Sequence, residues 1–243
     1  MAEEKRKILV IVEGAKTDDK LMRHLLSKYE IGAKYEIVPY RTNIYTLYRE
    51  MFQENEPEDI DLLQLLKSRE TSPEMKKIFD VPYSDILLIF DLDPQAPDFS
   101  VEWIRCMTDY FVESSDMGKL YLNYPMVEAF YHMKEIPDPE YDTRIASLDE
   151  LKLGAYKQRV NSENRNHDYR KFAETRSECN IVICQNIYKA WMLVGHESNK
   201  LLPPEQSDIL AAQLKLLEEN DHIAVLSTCP FFIAEYNPEL LLE

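Results

Sequence analysis

Several features that would place a chain quickly are missing from these 243 residues. No apolar run approaches the roughly 20 residues of a membrane helix, so no membrane association is expected. The opening Met1-Ala2-Glu3-Glu4-Lys5-Arg6-Lys7 has no signal-peptide core, and a cytoplasmic protein is expected. Cys106, Cys179, Cys184 and Cys229 form no CxxC pair. Reduced thiols are therefore the default and a zinc site is not expected, with Cys179 and Cys184 read as core thiols. No Walker A sequence occurs, so any ATPase function must come from another chain. Internal repeats and low-complexity tracts are absent. Positive charge is also short: 28 Lys and Arg against 44 Asp and Glu give a net charge of −16. That argues against general adhesion to nucleic acid, which needs a basic surface to displace counterions. A local basic strip, metal-assisted contact or a partner remains compatible with it.

What the chain does have is a pair of apolar runs that end in acids. Ile86-Leu87-Leu88-Ile89-Phe90 leads into Asp91-Leu92-Asp93, and Lys7-Ile8-Leu9-Val10-Ile11-Val12 leads into Glu13-Gly14. Each reads as a buried strand with charge at its C-terminal end, where open α/β sheets bind ligands. If Asp91 and Asp93 both lie on extended backbone, they point to one side, roughly 6–7 Å apart.

Between and after these strands the pattern alternates. A helix is expected over about 19–29, capped by Thr17 or Asp18 and stopped at Gly32. A short strand covers Tyr35-Glu36-Ile37-Val38, and helices cover about 43–52 and 59–69. The acidic, proline-broken stretch 54–61 reads as a solvated loop, and 73–81 as a connector. After Asp93 come a loop over 94–97, a helix over about 100–114 and a strand over 119–123. Pro125 then opens a short helix carrying Glu128 and His132. Residues 1–134 therefore read as an α/β core, a mostly parallel sheet flanked by helices. Residues 135–222 read as a C-terminal helical elaboration, with helices over 148–160, 163–175, 178–196 and 204–220. In the last stretch, 223–243, the apolar run 223–227 is expected to return to the sheet as a strand, with a tail behind it.

Carboxylates gathered at strand ends repel one another: two charges 4 Å apart cost about 4 kcal/mol at an effective dielectric near 20. A divalent cation removes that cost. One such acid alone is explained as well by a cap or a solvated strand end. Glu13, Asp91, Asp93 and Glu128 on successive strand ends together favour a metal site. A DxD after an apolar strand also suggests a HAD-type phosphatase or a receiver domain with Asp91 as nucleophile or phosphoacceptor. In the phosphatases the motif closes the first strand and is followed by Gly-Thr or a similar pair. Here it closes a later strand, and Pro94-Gln95 follows.

One strip runs against the acidic trend. Between Lys152 and Arg176 lie seven basic residues, including Lys157, Arg159, Arg165, Arg170 and Lys171, against three acids. Tyr156, His167 and Tyr169 are interleaved. Such a strip can grip phosphates and stack a base, or be a solvated, salt-bridged face. Lys16 and Lys20 follow the Glu13 turn at a helix start, where phosphate can bind. His132, four residues after Glu128, reads as a partner of that acid or as a packed histidine.

The strand-Val12-Glu13-Gly14-helix and strand-Asp91-Leu92-Asp93 elements resemble the Toprim domain of topoisomerases, primases and the overcoming-lysogenization-defect (OLD) nucleases. Asn123-Tyr124-Pro125-Met126-Val127-Glu128 is similar to the Asn-Pro-x-x-Glu segment of the RloB-like proteins of bacterial defence loci, with Tyr124 as one inserted residue. The resemblance covers residues 7–133. The separation of about 80 residues between Glu13 and the DxD exceeds that of minimal Toprim domains and implies an insertion near 43–80. The resemblance implies a nuclease dependent on Mg²⁺ (or Mn²⁺), acting in antiviral defence on DNA or RNA, with tRNA among the candidates. Glu13 would be acid/base or ligand, Asp91 and Asp93 ligands, and Glu128 a fourth. Lys16, Lys157, Arg159, Arg165, Arg170 and Lys171 are the expected substrate contacts. A separate ATPase subunit and homo-oligomerisation are the expected partnerships. The alternative is a non-catalytic Toprim-like binding or sensor module acting through protein–protein contacts, which the acidic surface and 15 tyrosines also fit.

Overall fold

The structure, a computed structural model, describes residues 7–29, 34–53, 61–115, 117–196 and 201–242. Gly32 and most of the 54–61 loop lie outside the described residues, so those two expectations have no structural counterpart.

The sheet is built on strand β1 (Lys7–Val12), followed by helix α1 (Thr17–Lys28) and strand β2 (Lys34–Pro39). Helix α2 (Ile44–Tyr48) runs on into a π-turn over Arg49–Gln53. Helices α3 (Leu62–Arg69) and α4 (Pro73–Lys76) come next, then a 3-10 turn over Lys77–Asp80. The 73–81 connector is thus helical, started by the Ser72 hydroxyl accepting from the Met75 amide and by Pro73 at the first position.

Strand β3 (Asp85–Asp91), helix α5 (Val101–Tyr110), and strands β4 (Val112–Glu113) and β5 (Gly118–Asn123) complete a five-stranded sheet of order β2-β1-β3-β5-β4. Four strands are parallel and only β4 is antiparallel. Ile8 to Val12 and Ile86 to Phe90 are buried throughout, as strands covered on both faces must be. The fold is therefore α/β, a mostly parallel sheet flanked by helices. Among the described residues no helix is long and apolar enough to cross a membrane.

The remainder is strand β6 (Ile145–Ser147), helices α6 (Leu148–Lys152), α7 (Ala155–Glu163), α8 (Arg176–Leu193) and α9 (Gln206–Asn220), strand β7 (His222–Ala224) and helix α10 (Phe231–Tyr236). Two expected helices differ. The one over 148–160 is split into α6 and α7 at Gly154, whose φ of +67° lies in the left-handed region. The one over 163–175 is replaced by two 3-10 turns, because Asn166 and His167 are left-handed (φ +66° and +53°) and cannot propagate a helix.

The returning strand also differs. Residues 222–224 pair with β6 as a separate two-stranded ribbon, while β4 takes the outer edge of β5. Among the described residues, backbone pairing of the 223–227 segment with the main sheet is limited to one bridge, Leu226 to Tyr124, with both N···O distances 2.8 Å. Buried Lys189 on α8 donates to the carbonyls of Tyr141 and Arg144, 2.7 Å each, and ties this helix to the segment before β6.

Candidate metal centre

The register of the sheet brings the acids together. Val12 lies opposite Ile89, so β1 and β3 end side by side. The Glu13 amide donates to the Ile89 carbonyl at 3.0 Å. The Asp91 amide donates back to Glu13 Oε2 at 3.2 Å. Asp91 in turn lies opposite Asn123 of β5, whose Nδ2 donates to Asp91 Oδ1 at 3.3 Å. The 223–229 segment fixes that amide: Ser227 Oγ and the Cys229 amide both donate to Asn123 Oδ1, at 3.2 and 3.4 Å.

Asp93 departs from the extended backbone expected for it. The strand stops at Asp91, and Asp93 has a φ of +42°, in the left-handed region. Its amide donates to the Pro125 carbonyl at 3.1 Å and its Oδ1 accepts from Gln95 Nε2 at 2.8 Å. The chain thereby curls after β3. Glu13, Asp91 and Asp93 each offer a carboxylate oxygen, and these oxygens lie within 4.8 Å of one another.

Two more acids border this triad. Asp18, not expected here, turns inward from the first turn of α1 instead of capping a helix from outside, and is 5 % exposed. The backbone amides of Gly14 and of Asp18 itself favour its charged form. Gly14 leaves room for that carboxylate: a Cβ there would sit 2.5 Å from Asp18 Oδ2, so one of the two would have to shift. Glu128 is buried on a 3-10 turn over Val127–Tyr131, in place of the short α-helix expected after Pro125, and is not among the three clustered oxygens. Its Oε1 lies 3.3 Å from Lys157 Nζ. Asp18 Oδ1 and Glu128 Oε2 are buried and have no hydrogen-bond partner among the described residues.

The electrostatics follow from burial and like charge. Burial, then the charge of Asp93, pushes Glu13 up from 4.5 to about 8 against the Asp91 amide. Asp18 is pushed up to about 6, by burial first and by the charge of Glu128. Asp91 is driven well above the usual carboxylate range by burial and by Glu13, Asp18, Asp93 and Glu128 together. Asp93 is raised by burial, against the Gln95 hydrogen bond and Lys157. Burial pulls Lys157 down, but the charge and hydrogen bond of Glu128, with Asp91 and Asp93, hold it above its ordinary value. Hard oxygen donors, orphaned buried oxygens and uncompensated negative charge suit a divalent cation. Glu13, Asp91 and Asp93 are the residues that could hold it.

The basic strip does not stay together. Lys157 alone joins the acids. Arg159 pairs with Glu150 at 2.8 Å and donates to the Ile145 carbonyl at 2.7 Å. Arg165 pairs with Glu178 at 2.6 Å and so ties the 3-10 turns to α8. Arg170 and Lys16 line one cavity beside α1, while Lys171 is exposed. His132 belongs to a buried network and does not face Glu128. Its nitrogens lie 3.2 Å from Tyr156 Oη and 3.1 Å from Glu163 Oε2. Burial, with Arg144 and other cations nearby, pushes it down to about 2.

Asp18 and Asn123 are the residues that sequence reasoning missed. An acid in the first turn of a helix is ordinarily a dipole partner, and only its place five residues after Glu13 hinted at more. Compared with family models, with curated proteins and with solved structures, the chain matches none.

Proposed function

We propose that this protein is a Toprim-like nuclease that hydrolyses phosphodiester bonds of DNA or RNA at a divalent metal held by Glu13, Asp91 and Asp93. The observation that carries the reading is the meeting of three carboxylate oxygens within 4.8 Å at the C-terminal ends of two adjacent parallel strands. A glutamate after the first strand and a DxD after its parallel neighbour is the Toprim arrangement. Held by these three carboxylates, Mg²⁺ or Mn²⁺ would supply Lewis acidity toward a phosphate and would lower the pKa of water. The chain's own residues do the rest. Asn123 and the Asp91 amide orient the carboxylates, and Glu13, held protonated near neutral pH until charge is neutralised, can exchange a proton. Lys157, the cation beside these acids, would offer a charge to a bound phosphate. A defence role and a separate ATPase chain complete the proposal, on the strength of the sequence resemblance.

The test is incubation of the purified protein with labelled DNA and with tRNA, in Mg²⁺ or Mn²⁺. Cleavage that disappears in Glu13→Gln and Asp91→Asn is the expected result. No cleavage of either, or equal cleavage by both variants, overturns the reading.

One observation favours a non-catalytic module instead: Lys157 Nζ lies 3.3 Å from Glu128 Oε1, so a side chain of this protein itself offsets part of the acids' charge. In that case Mn²⁺ would not raise the melting temperature of the wild type.

A further inference from the structure

A cavity of about 710 Å³ opens beside the acids, between the start of α1 and the 3-10 turns after α7. Its charge opposes that of the chain. Lys16, Lys20 and Arg170 line it against one carboxylate, Asp168. Lys16 and Lys20 are exposed and have no ion-pair partner among the described residues. Arg170 grips Asp168 through Nε and Nη2 (3.1 and 3.0 Å) and is 87 % exposed.

The cavity also has an aromatic wall. Tyr169 lies flat on buried Tyr131, with ring centroids 4.2 Å apart and planes 2° from parallel. The turn that precedes Tyr169 is built against backbone preference: Asn166 and His167 are consecutive left-handed residues without being glycine. It is pinned at several points. The Arg165 amide donates to Met133, Asn164 Nδ2 to the Tyr131 carbonyl at 2.7 Å, and Asn166 Nδ2 to the Lys171 carbonyl at 2.8 Å. The ring is therefore held in place before anything binds.

Cavity and acid triad share two walls. Thr17 lines the cavity and the next residue, Asp18, borders the triad. Tyr131 lines it three residues after Glu128 on the same 3-10 turn.

We infer that this cavity binds single-stranded nucleic acid, with a base stacked on Tyr169 and the flanking phosphates on Lys16, Lys20 and Arg170. Two unpaired lysines and an exposed arginine beside a fixed aromatic face are the chemistry of single-strand platforms. Its volume is that of a small-molecule pocket, which takes a nucleotide or two and has no room for a duplex. A strand seated here leads its next phosphodiester toward Asp18 and the triad. That last step rests on the nuclease reading; the binding itself needs no metal.

Fluorescence anisotropy in EDTA tests it, with labelled oligo(dT) and oligo(U) as probes and the oligo(dT)·oligo(dA) duplex as competitor. Single strands are expected to bind at least about tenfold tighter than the duplex. Lys16→Ala/Lys20→Ala is expected to weaken binding and to flatten the salt dependence by about 1.4 in log–log slope, 0.7 for each lost phosphate contact. Tyr169→Ala is expected to lose roughly tenfold in affinity, and Tyr169→Phe to keep most of it. No binding in EDTA, equal binding of the duplex, or an unchanged salt slope in the double variant overturns the inference. Because no metal is present, these results are separate from the cleavage assay: binding without cleavage would sink the nuclease reading alone.

Discussion

The backbone amide of Asp91 donates to the carboxylate of Glu13 at 3.2 Å, joining residues 78 positions apart in sequence. It is one of few stabilising contacts available to Glu13, since the other charges near it, Asp93 and Asp18, repel it and only Lys157 attracts it. The clustered acids are thus held together by sheet register against their own charge.

A pH signature follows. Glu13 has a folded-state pKa above its ordinary value, so the folded chain retains a proton that the unfolded chain releases between about 4.5 and about 8. Unfolding then releases protons, and stability falls as pH rises through that window. The penalty is absent below 4.5 and complete above 8. Two groups slope the other way: His132, pushed down to about 2, and Lys189, pushed down by burial to about 7. Glu13→Gln keeps both. Urea unfolding in EDTA should show Glu13→Gln gaining stability relative to wild type as pH goes from 5 to 8. A difference that shrinks with pH would contradict this account of the site.

Metal should reverse the repulsion. Mn²⁺ is expected to raise the melting temperature of the wild type. Asp18→Asn, which leaves the three clustered carboxylates in place, should weaken that metal affinity by roughly 10–100-fold, as loss of an outer partner typically does. Thermal shift against Mn²⁺ concentration reads both.

Gly14 and Asp18 should couple. Gly14→Ala puts a methyl 2.5 Å from Asp18 Oδ2 and should cost about 1–3 kcal/mol. Asp18→Ala removes the obstructing oxygen, so the double variant should recover most of that loss. Additive costs in denaturant titration would place the glycine requirement elsewhere.

Lys157 should matter most when no metal is bound. Lys157→Met removes a cation that attracts Glu13, Asp18 and Asp93. The variant is expected to melt lower than wild type in EDTA at pH 8, and to gain more from Mn²⁺. An equal gain in the two proteins would show that the ammonium and the metal do not act on the same charges.

The buried cation Arg144 marks the opposite case. It pairs with Asp138 and with Glu163, 2.8 Å each, and Asp138 is 2 % exposed. Arg144→Met strands a buried carboxylate and should cost about 3–5 kcal/mol. Arg170→Ala breaks a solvent-exposed pair and should leave stability nearly unchanged. Equilibrium unfolding in urea separates the two.

Strands β1 and β3 were legible because central parallel strands are apolar on both faces, and their terminal acids stand out against that background. The acid at position 18 was not, since a first-turn aspartate has an ordinary use. The strip from 152 to 176 was legible as charge but not as contact. Sequence spacing cannot tell Arg165, tied to Glu178 on α8, from Lys16 and Lys20, which face a cavity. The destination of 223–227 depended on β4, a two-residue strand too short to show in a pattern, taking the edge of β5. The curl at Asp93 was hidden for a related reason: an aspartate adopts left-handed backbone without any glycine to signal it.

The strand order has a consequence for how the chain reaches this state. β1 is flanked by β2, which follows it closely, and by β3, whose Asp85 pairs with Ile8. The first pairing can form from neighbouring sequence. The second must close a long loop containing α2, α3 and α4 before its hydrogen bonds repay the lost chain entropy. Both sides of the candidate metal site therefore meet in the pairing of higher contact order. Refolding should assemble the β1–β2 half first and join Glu13 to Asp91 late, so the capacity to bind Mn²⁺ should return after most of the helical signal.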